Sequence, residues 1–322
     1  MTDKISQINN INISLPKVRG IIRKNFELSR LSWLKVGGPA EIFFQPEDED
    51  DLSFFLKNLE TNIPVFVIGA CSNLIIRDGG IPGVVIKLGK NFSSIRLNKT
   101  DVSVGAACRD SYLAQTCAKE GVDLSFLRTI PGNLGGAVKM NAGCYGSYLS
   151  DYLIGLTLIR RDGSITDMKA SDYKFSYRNS NIPDDAIITN VLLRKELDDP
   201  LRIEMKMTRA LDVRNLSQPT KDLSCGSTFR NPLGRSSLED KYDSDHSLKA
   251  WKLIDDAGLR GAKIGGAMVS KKHTNFLINT GNATAKDIED LGKFVIKKVK
   301  TNSGINLIWE VKRVGKYLKI KI

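Results

Sequence analysis

An α+β fold in two or three modules is the architecture this sequence predicts, on three observations. Short β runs and amphipathic helices are interleaved along 322 residues with no internal repeat. Two glycine-rich segments, residues 67–83 (VIGACSNLIIRDGGIPG) and 130–146 (IPGNLGGAVKMNAGCYG), sit against apolar strand-like runs. The texture then changes beyond about residue 216, where a turn-rich CGSTFRNP motif and a polar stretch open a new region that runs to 303.

The elements follow in order. Residues 1–20 carry no periodic pattern and read as a loosely held arm. A helix is predicted over 50–59, because Leu52, Phe55, Leu56 and Leu59 fall on one face. Three β runs split by Gly and Pro turns fill 64–88 (PVFVIG, NLIIRD, VVIKL), and 102–106 is a further strand. Asp110 is placed as the N-cap of a helix with Leu113, Ala114 and Cys117 inward and Gly121 as its stop. Residues 153–160 and 164–168 form a hairpin about Asp162-Gly163, and 186–196 is another β run. Ile203, Met207 and Leu211 are spaced along a helix over 201–215 that passes the chain into the new region. There, 233–247 reads as a surface loop, 248–257 as a helix stopped by Gly258, and 284–300 as an amphipathic helix. Residues 306–311 alternate as a closing strand, with Leu307, Trp309 and Val311 on one face and Ile308 and Glu310 on the other.

Composition narrows the function. The chain is 41% hydrophobic and 26% charged, as in ordinary globular proteins. It shows no leader-like apolar stretch at its start and no run long enough to span a membrane, so a cytoplasmic location is expected. Five scattered cysteines without a C-x-x-C argue against a disulfide scaffold or zinc ribbon, and two histidines leave little for a metal site or a His-dependent triad. The net charge of +12 is compatible with nucleic-acid binding, with attraction of small polyanions, or with a lysine-rich solvated surface. The densest basic run, 293–300, closes a helix whose early turns hold Asp287, Glu289 and Asp290, an order that suits the helix dipole and needs no ligand. No basic stretch is interleaved with aromatics in the manner of a single-strand-binding groove.

The glycine segments carry the chemistry. Small residues let backbone amides approach a pyrophosphate and form an anion-binding concavity. Neither segment has the G-x-G-x-x-G or G-x-x-x-x-G-K-[ST] spacing, so a Rossmann fold and a P-loop are both excluded. Three side chains stand out elsewhere. Glu310 is the only acid from Lys293 to the C-terminus, among nine lysines and arginines; it reads either as a salt-bridged strand residue or as a carboxylate held in a cleft. Ser227, in CGSTFRNP, is either a turn serine or a hydroxyl that gives a proton to a reacting carbon, since it lacks a nucleophile-elbow context. Arg178, in FSYRNS, is either a turn-stabilising donor or a charged fork that polarises a carboxylate or enolate.

Taken in order, WLKVGGPAEIF, VIGACSNLIIRDGGIPGVVI, IPGNLGGAVKMNAGCYG, FSYRNS, GSTFRNP, AWKLIDDAGLRGAKIGGAMVS, HTNFLINTGNATAKDI and IWEVKRVG closely resemble the UDP-N-acetylenolpyruvoylglucosamine reductase family, from about residue 25 to 315. The resemblance implies a vanillyl-alcohol-oxidase-type (PCMH-like) FAD-binding module in two parts, residues 1–90 and 91–208. It also implies a substrate-binding α+β domain over 209–303 and a returning segment, 304–322, that carries Glu310. The run after GSTFRNP looks like the short-lid subtype, which lacks an extra tyrosine-bearing loop. FAD is implied as bound cofactor, NADPH as co-substrate and a UDP-sugar enolpyruvate as substrate, in a monomer without nucleic-acid partners.

Carried over by motif, FAD contacts fall on Gly69, Ala70, Cys71, Ser72, Asn73, Leu74, Pro131, Gly132, Gly135, Gly136, Ala137, Asn141, Gly143 and Ile188. Substrate contacts fall on Tyr177, Arg230, Asn231, His273, Asn275 and Lys312. Hydride would pass from flavin N5 to C3 of the enolpyruvyl group, Arg178 and Glu310 would stabilise the enolate-like charge, and Ser227 would protonate C2. Two positions depart from the family pattern: Cys71 stands where a glycine is usual, which would crowd the pyrophosphate cradle, and Arg230 replaces a common lysine. An FAD-linked sugar or alcohol oxidase of the same fold is the alternative, followed by a basic nucleic-acid-binding protein.

Overall fold

Alternation of side chains across one strand sets the first layer of the fold. In the strand Pro39–Gln45, Ile42 and Phe44 face one core while Phe43 faces another, and in Ile81–Lys87 Val84 and Ile86 oppose Val85 in the same way. A computed structural model describes residues 15–144, 146–232 and 248–318. Most of the arm expected over 1–20 and the loop expected over 233–247 lie outside the described residues.

The first sheet runs Ile21–Glu27, Pro39–Gln45, Ile81–Lys87, Val65–Ile68, with the first pair antiparallel and the rest parallel. Helix α1 (Glu49–Asn58) covers one face; the Asp48 side chain caps it by accepting from the Asp51 amide, and Phe55 packs on Phe44 with ring centroids 4.1 Å apart. The second sheet is antiparallel throughout, in the order Ile165–Lys169, Leu153–Ile159, Ile187–Arg194, Asp101–Gly105, Ile95–Leu97. Its inner face shares one continuous core with α1, α2 (Asp110–Lys119) and the buried side of the first sheet. Helix α3 (Leu134–Lys139) lies inside the second glycine segment, a helix the sequence reading did not separate from its turns. Helix α4 (Pro200–Ser217) is capped by Asp199 and buries Ile203, Met207 and Ala210; Leu211 is only partly buried.

Beyond α4 a four-stranded antiparallel sheet, Leu223–Ser224, Leu277–Asn279, Ala267–Val269, Lys263–Ile264, packs with α5 (Ala250–Asp256) and α6 (Ala285–Ser303) around a second core that also takes in Leu34, Val36 and Ile75. The chain then returns: Lys312–Val314 pairs in parallel with Leu74–Ile76 of the first glycine segment.

Two expectations change. Asp110 is the first residue of α2 rather than its cap, and its side chain accepts no capping hydrogen bond; the cap position falls on Arg109. The closing strand is displaced: 306–311 puts Leu307 and Val311, with the partly buried Trp309, on one core-facing side as expected, but it makes an isolated bridge, Phe229 with Trp309, instead of a ladder. Its backbone bonds go to the GSTFRNP loop, with Arg230 N donating to Ile308 O at 2.8 Å and Glu310 N to Thr228 O at 2.8 Å, so regular pairing starts only at Lys312.

Candidate active site

The two glycine segments meet across one cavity of about 630 Å³, a size usual for ligand sites. Gly69 to Leu74 line one wall; Ile130 to Asn133, Gly135 to Ala137 and Gly143 line another; Phe66, Ile187 and Ile188 add apolar surface. The segments are tied together directly, because Ser72 Oγ donates to the Pro131 carbonyl at 2.8 Å. Asn133 Nδ2 donates to Ala107 O at 2.6 Å, and Gly135 N to Ala106 O at 2.9 Å, which docks the start of α3 on the second sheet.

The glycines fit a cradle for a large flat ligand with a pyrophosphate. Gly132 has φ +147°, open to glycine and strained for other residues. A Cβ at Gly135 would lie 3.0 Å from the Ala106 Cβ and crowd it, whereas a Cβ at Gly136 would meet nothing within 4 Å and the backbone is left bare. Cys71 has φ +55°, which accounts for the glycine usual at that position. Its thiol does not crowd the cradle: Cys71 is 3% exposed and packs in the small core with Phe43, Ile68 and Ile76, where burial pushes its pKa up to about 11.

The three singled-out side chains reach the same cavity. FSYRNS is a tight hairpin, Phe175–Ser176 paired with Asn179–Ser180, and Arg178 sits at its tip with φ +55°. Its Nε lies 2.9 Å from Glu310 Oε1, an ion pair in which the N–H points off the line between them. The Glu310 side chain is only 9% exposed. Burial raises its pKa above the ordinary carboxylate value, against the opposing pull of Arg178, Arg230 and the Tyr177 hydroxyl. Ser227 lines the cavity with Gly226, whose φ of +76° turns the loop. A smaller adjoining cavity of about 360 Å³ gathers Lys139, Arg178, Arg230 and Lys312.

Other expected contacts lie behind the walls. Asn275 bonds the Phe229 backbone twice, accepting from its N–H at 2.9 Å and donating to its carbonyl at 2.8 Å. His273 packs on Phe276 and Trp251 with Nδ1 accepting from Asn275 N, and burial lowers its pKa to about 4. Asn231 Oδ1 accepts from Ala250 N at the start of α5, and Asn141 bridges Ser150 N and Ser176 O. Tyr177 stands beside Arg178, whose guanidinium lies 5.7 Å from its ring centroid. Among the lining residues that escaped the sequence reading are Lys139 and Asp110. Lys139 donates to the Ile182 and Pro183 carbonyls; its place inside the second glycine segment was the available signal. Asp110 was read only as a cap.

Comparison with known proteins agrees with this geometry. Residues 40–169 match a family described as FAD binding domain, and 218–314 match the C-terminal domain of UDP-N-acetylenolpyruvoylglucosamine reductase. A reductase of that name from Paracoccus denitrificans is 51% identical over 94% of this chain and 99% of its own length. Its counterpart in Roseobacter denitrificans is 50% identical over 94% and 98%. The crystal structure of the Thermus caldophilus reductase superposes with a TM-score of 0.76 at 32% identity, covering 92% of this chain and 99% of that one. With half of all residues shared over nearly the full length of both proteins, and with the two glycine segments, the FSYRNS hairpin and the GSTFRNP loop around one cavity, the chain belongs to the UDP-N-acetylenolpyruvoylglucosamine reductase family.

Proposed function

We propose that this chain reduces UDP-N-acetylglucosamine enolpyruvate to UDP-N-acetylmuramate, a step of peptidoglycan precursor synthesis in the cytoplasm, with NADPH as the reductant. The observation that carries the reading is the presence of Ser227, Arg178 and Glu310 on the cavity that both glycine segments line. The backbone of Gly69 to Leu74, of Pro131 and Gly132 and of Gly135 to Ala137, with Gly143 and Ile188, would hold FAD. When bound, FAD would supply the redox chemistry by which reducing equivalents pass from NADPH to C3 of the enolpyruvyl group.

What remains for the protein is charge and one proton. Arg178 offers a fixed cation to the substrate carboxylate and to the negative charge that grows beside it. Glu310, raised by burial, holds or shares a proton on the same oxygen system instead of repelling it. Ser227 delivers the proton to C2, which is basic enough in that state to take it from a hydroxyl held in place. Lys139, Arg230 and Lys312 add positive potential beside the cavity for phosphate-bearing ligands.

The absorption spectrum tests this. Purified protein is expected to be yellow, to bleach with anaerobic NADPH, and to regain its colour on addition of the enolpyruvyl sugar. A protein that carries no flavin, or whose reduced form is reoxidised by oxygen but not by that sugar, overturns the reading.

A further inference from the structure

Asp110 lines the cavity but has no part in the chemistry above. It is 0% exposed, and among the described residues no group hydrogen-bonds to either of its carboxyl oxygens. The carboxyl lies where the two glycine segments meet: a Cβ placed on Gly132 would be 3.3 Å from Asp110 Oδ2 and 3.3 Å from Ser72 Oγ. The Ser72 proton is already committed to the Pro131 carbonyl. The nearby Cys108 thiol is pushed up to about 12, first by its own burial and then by Asp110, so it neither gives nor takes a proton there at neutral pH. Burial holds the Asp110 pKa well above the carboxylate range.

A buried polar group without a partner costs roughly 1–3 kcal/mol, and in a native fold it calls for an explanation. Here the explanation is a ligand. A phosphate oxygen only accepts hydrogen bonds; an ionised carboxylate would repel it, while a protonated one supplies a donor. Glycine at 132 keeps the space between Asp110 and Ser72 free of a side chain.

We propose that Asp110 is a positioning residue for FAD, its carboxyl O–H donating a hydrogen bond to a pyrophosphate oxygen at the seam between the glycine segments. The inference rests on the reading that FAD occupies this cavity. Apoprotein stripped of cofactor is titrated with FAD by quenching of flavin fluorescence, for wild type, Asp110→Asn and Asp110→Leu. Asparagine retains a donor and should bind within about threefold of wild type; leucine should bind roughly ten- to a hundredfold more weakly. Circular dichroism melts of each apoprotein separate lost binding from lost folding. Independently, the infrared difference spectrum on FAD addition should show a shift of a protonated-carboxyl C=O band that is absent in Asp110→Asn. Wild-type apoprotein that does not bind FAD overturns the cofactor reading itself. Wild type that binds while folded Asp110→Leu binds equally well, or that shows no carboxyl band shift, overturns the role of Asp110 alone, and asparagine as weak as leucine overturns the donor assignment.

Discussion

Ser227 stands on a loop whose neighbours are pinned from two sides. Thr228 N donates to Asn275 O at 2.7 Å, and the Thr228 carbonyl accepts from Glu310 N. A hydroxyl so held loses little entropy on reaching a substrate carbon, which is what a weak acid needs to serve as a proton donor. Ser227→Ala should therefore leave the rate of flavin reduction by NADPH within about twofold and slow reoxidation by the sugar by roughly 10²–10⁴-fold. Stopped-flow measurement of the two half-reactions checks this, and equal loss of both would refute the assignment. The role proposed for Glu310 predicts a pH dependence. Its pKa in the fold is raised, so its proton is present below that value and is lost as pH rises through it; sugar-dependent reoxidation should fall along the same alkaline limb. Glu310→Gln keeps a donor but cannot share a proton, so it should slow that half-reaction about 10²-fold and remove the limb from the pH profile of the single-turnover rate. Cys71 shows what one residue's letter conceals: the sequence marks a side chain in a cradle, and only the left-handed backbone reveals that the thiol turns away into the core.

At the scale of elements, legibility followed whether an element carried its own periodicity. α1 and α6 have an apolar stripe and side-chain caps at Asp48 and Thr284, and both were readable to within three residues at either end. α3 was not, since LGGAVK has two glycines and too few turns to show a period; its start is docked by a tertiary contact, Gly135 N to Ala106 O at 2.9 Å, that a short run of sequence does not encode. The segment 306–311 alternates as a strand does, yet its hydrogen-bond partners are those of a loop distant in sequence, which alternation does not encode. The residues behind the wall follow the same rule. Asn275 is polar and lies near the site in sequence terms, but both ends of its amide hold the Phe229 backbone. Asn275→Ala should orphan a buried N–H and a buried C=O and cost about 3 kcal/mol in denaturant unfolding. The loop carrying Ser227 would loosen with it, so reoxidation by the sugar should slow more than flavin reduction does. An unchanged unfolding midpoint would show that the pair is not holding the loop.

Across the whole molecule, a vanillyl-alcohol-oxidase-type FAD module and a C-terminal α+β domain must hold Ser227 against the cavity that the first module builds. The second core already reaches across, since Leu34, Val36 and Ile75 pack with Leu253, Ile288 and Val295. A polar clamp sits beside it, within the first glycine segment. Asp78 accepts from the Ala285 and Lys286 amides at 2.9 and 3.0 Å and so caps α6 from outside, while Arg77 Nε donates to Glu289 Oε1 at 2.7 Å. Glu289 is 1% exposed, and Tyr317 closes the group, donating to its Oε2 at 3.0 Å with the Arg77 guanidinium 4.3 Å from its ring centroid. In sequence these residues are an unremarked RDGG and a helix-face glutamate more than two hundred positions later, so nothing local announces the pair. Breaking one side of a buried pair leaves a charge without compensation, which costs more than the intact pair contributes. Arg77→Met should lose about 3 kcal/mol in denaturant unfolding, whereas Arg77→Met with Glu289→Leu should recover most of that loss. If the double variant is as unstable as the single one, the loss lies in packing rather than in charge. If neither is destabilised, the domains are held by the apolar core alone.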